Sequence, residues 1–63
     1  MVIVKPGMFV KIERNNESFW VKVVGVKNKR VSGIVDNNLI INKVIHLGSK
    51  ISFDVNKIID YKL

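Results

Sequence analysis

Apolar and polar residues alternate with a period of two along most of the chain, and turn residues separate the alternating runs. This period places successive side chains on opposite faces of a strand, and no stretch keeps the apolar spacing of an amphipathic helix. The pattern predicts an all-β protein with strands over 8–13, 18–27, 30–36 and 49–55. The last run, 56–63, predicts one 3₁₀ turn followed by a terminal strand, with Ile58 or Ile59 closing one end of the core.

The first two strands form a hairpin whose register the pattern itself defines. Pro6-Gly7 predicts a type II turn before the first strand, and Asn15-Asn16 predicts a tight turn between the strands. Centring the hairpin on the two asparagines sorts its side chains onto two faces, and a one-residue slip would mix them. One face is apolar and carries Met8, Val10, Ile12, Phe19, Val21 and Val23; the other carries Phe9, Lys11, Glu13, Ser18, Trp20 and Lys22.

The second hairpin turns on Asn28-Lys29 and conflicts with the first if the middle strand is regular. Its register sets Val26 opposite Val31 but also Val23 opposite Ile34, on alternate faces. Gly25 after Val24 therefore predicts a bulge or bend, beyond which the other set of alternate residues faces the core. A long, bent second strand shared between two sheets is how a small barrel closes.

Two later segments differ in clarity. The run 49–55 alternates cleanly, with Ile51, Phe53 and Val55 inward. The apolar stretch 39–48 fits either a short strand or an ordered loop, and both interpretations stay open.

The order of these motifs resembles a known group of domains. "FWVKVVGVKNKRVSGIVDNN" with "LGSKISFDVNKIID", residues 19–60, is similar to small SH3-like domains of unknown function found in bacterial and viral proteins. The resemblance implies a five-stranded SH3-like barrel with a bent second strand and a 3₁₀ turn before the last one, and implies no activity. The matching positions are Gly33, Asp36, Asn37, Gly48, Ile51, Phe53, Ile58 and Asp60.

The chain departs from that group at two positions. An acidic residue often follows the Asp-Asn pair and the late glycine, where this chain has Asn38 and Ser49. The domain is therefore less acidic than the pattern.

Length and charge narrow the function class. The 63 residues form one expected domain, 1–63, and eleven Lys and Arg against five Asp and Glu give a formal charge of +6. So positive a surface favours an anionic partner, and nucleic acid is the commonest one. The apolar start "MVIV" is too short for a signal peptide or membrane span, so we expect no membrane partner. The absence of cysteine favours an intracellular, cytoplasmic protein, or one in the host cytoplasm or virion if it is viral.

Catalysis and metal binding lack the residues that they need. The chain has one histidine, His46, and no cysteine, so a zinc site has too few ligands. No glycine-rich phosphate loop is present, because the four glycines stand apart. We expect a non-catalytic protein without cofactor or metal, in which His46 covers the rim of the barrel.

The polar face of the first hairpin is the candidate site. Aromatic rings can stack on bases while ammonium groups neutralise phosphates, and this face carries both. The predicted nucleic-acid-binding residues are Phe9, Lys11, Trp20 and Lys22 on the face and Lys27, Lys29 and Arg30 at the tip of the second hairpin. With so few base readers, non-specific binding of DNA or RNA is the expectation.

Alternative interpretations of the same residues remain open. Lysine-aromatic pairs also stabilise a sheet on their own, and Tyr61 or Leu63 could pack over Trp20. A protein-binding module would use Trp20, Phe9 and Tyr61 as a peptide groove, or an edge strand. A homodimer could instead form through 39–47.

Overall fold

A computed structural model describes residues 3–37, 39 and 44–62. The chain order is β1 (Phe9–Arg14), β2 (Glu17–Lys27), β3 (Arg30–Val35), β4 (Lys50–Asp54), a 3₁₀ helix (Val55–Lys57) and β5 (Ile58–Lys62). All pairings are antiparallel, and the strands form one sheet in the order β4-β3-β2-β1-β5. The predicted all-β class is confirmed. No helix among the described residues is long and apolar enough to cross a membrane.

The register of the first hairpin is confirmed residue by residue. Val10 pairs with Val21, Lys11 with Trp20 and Ile12 with Phe19. Asn15 and Asn16 have φ of 54° and 64°, the left-handed conformation that tight hairpin turns require and that asparagine tolerates. The turn before β1 also forms as predicted: the Met8 N–H donates to the Lys5 carbonyl over 3.2 Å, and Gly7 has φ of 94°.

The predicted bulge lies in β2 at Val24. Val26 pairs with Val31 and Gly25 with Ser32, but the next pair is Val23 with Gly33. One residue of β2 therefore has no pairing partner on β3. The shift removes the conflict between the two hairpins, because Val23 and Val31 are both buried while Ile34 faces outward. Val24 is the extra residue and is exposed.

The core lies on one face of the sheet and comes from β1 to β4 and the residue before β1. Its buried side chains are Met8, Val10, Ile12, Phe19, Val21, Val23, Val31, Val35 and Phe53. Ile51, Val55 and Ile58 pack against them. Of the two isoleucines predicted to close one end of the core, Ile58 is partly buried against it, whereas Ile59 is exposed.

Within the described ranges the sheet curls, but its strands do not form a closed ring. The end of β1 lies three strands from β4 in the sheet order, about 14 Å if the sheet were flat. Yet the Arg14 Nη2 donates to the Ser52 carbonyl over 3.2 Å. Within the described residues β4 and β5 are the two edges and no ladder joins them, so the predicted barrel is not confirmed.

The segment predicted as strand or loop is described only in part. Leu39 packs against the core, and 44–49 contains one bend and one turn but no strand. Residues 38, 40–43 and 63 lie outside the described residues, so the choice for 40–43 and the predicted packing of Leu63 over Trp20 stay open.

Candidate nucleic-acid interface

The four predicted face residues lie together on the outer face of the β1–β2 hairpin. Phe9 pairs with Lys22 and Lys11 pairs with Trp20, so two rings and two ammonium groups alternate across neighbouring strands. The side chains that flank them in sequence point to the opposite face and are buried. Phe9, Lys11 and Trp20 are half-buried and Lys22 is exposed, so the face meets solvent.

A lysine from β5 completes this face. β5 pairs with β1, and its register sets Lys62 opposite Phe9 and Asp60 opposite Lys11. The Lys62 Nζ lies 4.5 Å from the centre of the Trp20 ring and 5.8 Å from that of Phe9. The Lys11 Nζ lies 5.7 Å from the Trp20 ring. Both aromatic rings therefore carry an ammonium group at cation–π distance. We call Phe9, Lys11, Trp20, Lys22 and Lys62 the aromatic-lysine face.

The backbone beneath Trp20 is fixed by the start of the loop after β3. The Trp20 N–H donates to Asn37 Oδ1 over 3.1 Å, and its carbonyl accepts the Asp36 N–H over 2.9 Å. The Asp-Asn pair that supported the resemblance thus has a structural role: it holds the β2 residue that carries the ring.

Gly33 allows β3 to approach β2 below the same face. A Cβ at this position would stand 2.6 Å from the Lys22 carbonyl oxygen and closer still to Val21 Cγ1. Real Cβ atoms do not approach so closely, so only glycine fits. Gly33 and the Asp36-Asn37 pair therefore help to set the positions of Lys22 and Trp20.

Charge on the outer face changes sign along the strands. Lys22 pairs with Ile34 on β3, which pairs with Lys50 on β4, so the cross-strand row through Phe9 carries lysines on three strands. The next row contains Asp60 beside Lys11. The positive potential is therefore strongest at the Phe9 end of the face, away from Asp60.

The predicted tip residues form a separate group. Lys27 pairs with Arg30 beyond the bulge of β2, and Lys29 lies in the turn between them. The Arg30 Nη2 donates to Ser52 Oγ over 3.3 Å, and Arg30 pairs with Asp54. The bulge and the Gly25–Ser32 pair separate this tip from Lys22, so the structure does not bring the two groups of predicted residues into one site.

Tyr61 lies on the other face of the sheet. It pairs directly with Val10, and directly opposite residues share a face. Tyr61 instead lines an apolar pocket of about 420 Å³ with Val4, Val10, Val55, Ile58, Ile59 and Asp60. The three rings of the proposed peptide groove therefore do not line one surface, and Lys62 rather than Tyr61 covers Trp20.

His46 lies in an exposed turn. Its N–H donates to Ser49 Oγ over 3.0 Å, and its ring Nδ1 lies 3.1 Å from the Leu47 carbonyl oxygen. Within 3–37, 39 and 44–62, no three His, Cys, Asp or Glu side chains come together as a metal site would require.

Comparison with known families identifies the chain's relatives. A family model described as "Uncharacterized protein conserved in bacteria (DUF2314)" matches residues 1–63. The chain belongs to this family. No curated protein and no solved structure matched the chain. Membership of DUF2314 confirms the bacterial, functionally uncharacterised group inferred from the motifs, but it gives neither an SH3-like assignment nor a link to viral proteins.

In this DUF2314 chain, sequence reasoning missed Lys62. The terminal strand was predicted, but its partner and register were not. The charges contained a signal for the register of β5. Pairing the opposite charges of Asp60 and Lys11 brings Lys62 opposite Phe9. The bulge at Ile59, which the register shift between Lys11 and Ile12 reveals, hides that signal by breaking the alternation of β5.

Proposed function

We propose that this chain is a small, non-catalytic module that binds nucleic acid non-specifically through its aromatic-lysine face. The observation that carries the proposal is the position of Lys62 and Lys11 over the rings of Trp20 and Phe9. Rings and ammonium groups lie in contact on a solvent-facing surface. Proteins that bind single-stranded nucleic acid use the same combination of aromatic and positively charged side chains.

The proposed binding mode is an exchange of partners on the rings. A base stacks on the Trp20 or Phe9 ring in place of an ammonium group, and the displaced Lys62 or Lys11 binds the adjacent phosphate. Stacking contributes about 1–3 kcal/mol per base by alanine substitution, more than the roughly 0.5–1 kcal/mol of an exposed cation–π contact. The exchange is therefore favourable, and released counterions add to it.

The tip contributes through charge alone. Lys27 and Lys29 are exposed and extend the positive potential beyond the face, while Arg30 already bonds Ser52. We expect them to contact phosphates at the end of a longer strand and to carry no sequence information.

For the fold we propose an SH3-like barrel. The Arg14–Ser52 hydrogen bond joins the end of β1 to the far edge strand, and Val10, Phe19, Val21 and Val31 are fully buried although no described helix covers the sheet. Both features fit a sheet that curls around its own core.

The module is proposed to act in the cytoplasm, and an occurrence in viral proteins stays a prediction. The proposed ligands include DNA and RNA, as single strands or as duplexes. The face carries no arrangement specific to one base, which favours sequence-independent binding.

The test follows the emission of Trp20, the chain's one tryptophan, during titration with single-stranded and duplex DNA and RNA. We expect quenching that saturates, is largest for single strands and weakens along a straight line in a log–log plot against salt, with a slope of about −0.7 per phosphate contact. Unchanged emission at low salt with every ligand would contradict the proposal.

Matched charge variants separate a site from general attraction. Lys11→Glu with Lys22→Glu reverses two charges on the face, whereas Lys5→Glu with Lys57→Glu reverses two exposed charges elsewhere. The two double variants have the same net charge. We expect the first to abolish binding and the second to weaken it slightly; equal losses would mean that total charge alone attracts the ligand.

A further inference from the structure

Within the described residues β5 is an edge strand of the sheet, and at one position its backbone groups point away from the sheet. Hydrogen bonds alternate along an antiparallel strand, and the Met8 carbonyl accepts the Val23 N–H over 2.8 Å. Even-numbered residues of β1 therefore bond to β2, and Phe9 and Lys11 bond to β5. Their partners are Lys62 and Asp60, so the backbone groups of Tyr61, between them, point away from β1.

A side-chain contact confirms the direction of the Tyr61 N–H. This N–H donates to the carboxylate of its neighbour, Asp60 Oδ1, over 2.7 Å. The donor is thus at the edge, capped by a side chain of its own strand instead of a neighbouring strand. An exposed edge with its donors and acceptors directed outward is a template for pairing with another chain.

The charges on β5 fit one particular partner. Asp60 and Lys62 lie on the outer face, and Tyr61 lies between them on the other face. We infer that a second copy of this chain pairs through β5, antiparallel and about a two-fold axis at Tyr61. Each Tyr61 then exchanges its backbone N–H and C=O with Tyr61 of the second copy, and Asp60 of each chain faces Lys62 of the other.

Other two-fold registers lack this complementarity. An axis at Asp60 would bring two carboxylates together, and an axis at Lys62 would bring two ammonium groups together, both of which oppose pairing. Of these three axes, only the one at Tyr61 places opposite charges across the joined strands. Asp60 exchanges its bond to the Tyr61 N–H for one to the Lys62 ammonium group of the second copy. That ammonium group turns away from the Trp20 ring to make the new contact.

Exposed apolar surface lies beside the same axis. Tyr61 and Ile59 are 47% and 59% exposed, and both line the apolar pocket beneath β5. In the dimer the Tyr61 ring of the second copy covers this pocket. Polar pairs on one side of the joined strands and apolar burial on the other are typical of a homodimer interface.

A single-cysteine experiment tests the axis directly, since the chain has no cysteine. Hydrogen-bonded residues on paired antiparallel strands have Cα atoms about 5.5 Å apart, within the range that a disulfide spans. Under mild oxidation we expect Tyr61→Cys to form covalent dimers rapidly, and the exposed control Lys29→Cys to form them slowly. Equal rates for the two variants would overturn the assignment of the axis.

A charge swap tests the complementarity without nucleic acid. We expect Asp60→Lys and Lys62→Asp each to weaken dimerisation about tenfold in sedimentation, because each places like charges opposite one another. The double variant has the native net charge and should restore the dimer. A native protein that stays monomeric at all concentrations, or a double variant as weak as the single ones, would overturn the inference; circular dichroism shows that each variant is folded.

Discussion

The two faces of the β1–β2 hairpin are built from alternating residues of the same strands and have opposite properties. Val10, Ile12, Phe19 and Val21 are almost completely buried, whereas Phe9, Lys11, Trp20 and Lys22 meet solvent. Aromatic residues occur on both faces, Phe19 inside and Trp20 outside. The difference shows that a buried core and a solvent-facing surface can occupy adjacent residues, so that each can be changed separately.

The strongest way to break the inner face is Phe19→Ala. Removing a fully buried ring loses its transfer free energy and leaves a cavity, at a cost of about 3–5 kcal/mol. A domain of this size has little more stability than that, so we expect it to be largely unfolded. Urea denaturation followed by circular dichroism measures the loss. The adjacent variant Trp20→Ala should stay folded; a larger loss for Trp20→Ala would reverse the assignment of the faces.

Gly33→Ala tests the close approach of β3 to β2, the backbone layer between the two faces. Its Cβ would collide with Val21 on the inner face and with the Lys22 carbonyl, so β3 must move away from β2. We expect a loss of about 1–3 kcal/mol in the free energy of unfolding. Gly25→Ala is the matched control, because a Cβ there meets nothing within 4 Å. Equal melting temperatures for the two variants would contradict this account.

Asn16→Ala tests the turn that sets the register of β1 and β2, and with it the face on which each side chain lies. Asn16 has φ of 64°, a conformation that costs a residue with an ordinary side chain about 1 kcal/mol. We therefore expect a small fall in stability, and Asn16→Gly, which has no such cost, should retain the native value. A melting temperature raised by alanine would show that the turn conformation is not the one described.

The smallest expected effect on stability comes from Lys62→Met on the outer face. The change keeps an apolar stem but removes the ammonium group from the Trp20 ring, at a cost of about 0.5–1 kcal/mol. Trp20 emission should change markedly, since the group 4.5 Å from its ring is lost. Emission identical to that of the native protein would show that Lys62 does not contact the ring in solution.

Most of the sheet could be predicted from the sequence because register and burial follow from alternation. The asparagine turn fixes which residues of β1 and β2 are opposite, and the conflict between the two hairpins identified the bulge near Val24-Gly25. These are local relations between neighbouring strands, and a pattern of period two contains them.

The position of β5 could not be predicted in the same way. Its pairing with β1 joins residues at the two ends of the chain, and the bulge at Ile59 interrupts its alternation. The contact of Lys62 with Trp20 depends on that pairing, so the candidate site was predicted with four of its face residues but without the fifth. The tip residues were predicted from charge alone, which does not report the distance that the β2 bulge introduces.

The Arg14–Ser52 hydrogen bond also bears on how far the protein can self-associate. It occupies an outward-pointing carbonyl on β4, at the sheet edge opposite β5. Strand addition at both edges would build an endless fibre, whereas pairing at one edge about a two-fold axis ends with two chains. The Arg14 side chain, which extends from β1, thus occupies one strand-pairing position on β4 and favours an assembly that ends at two chains.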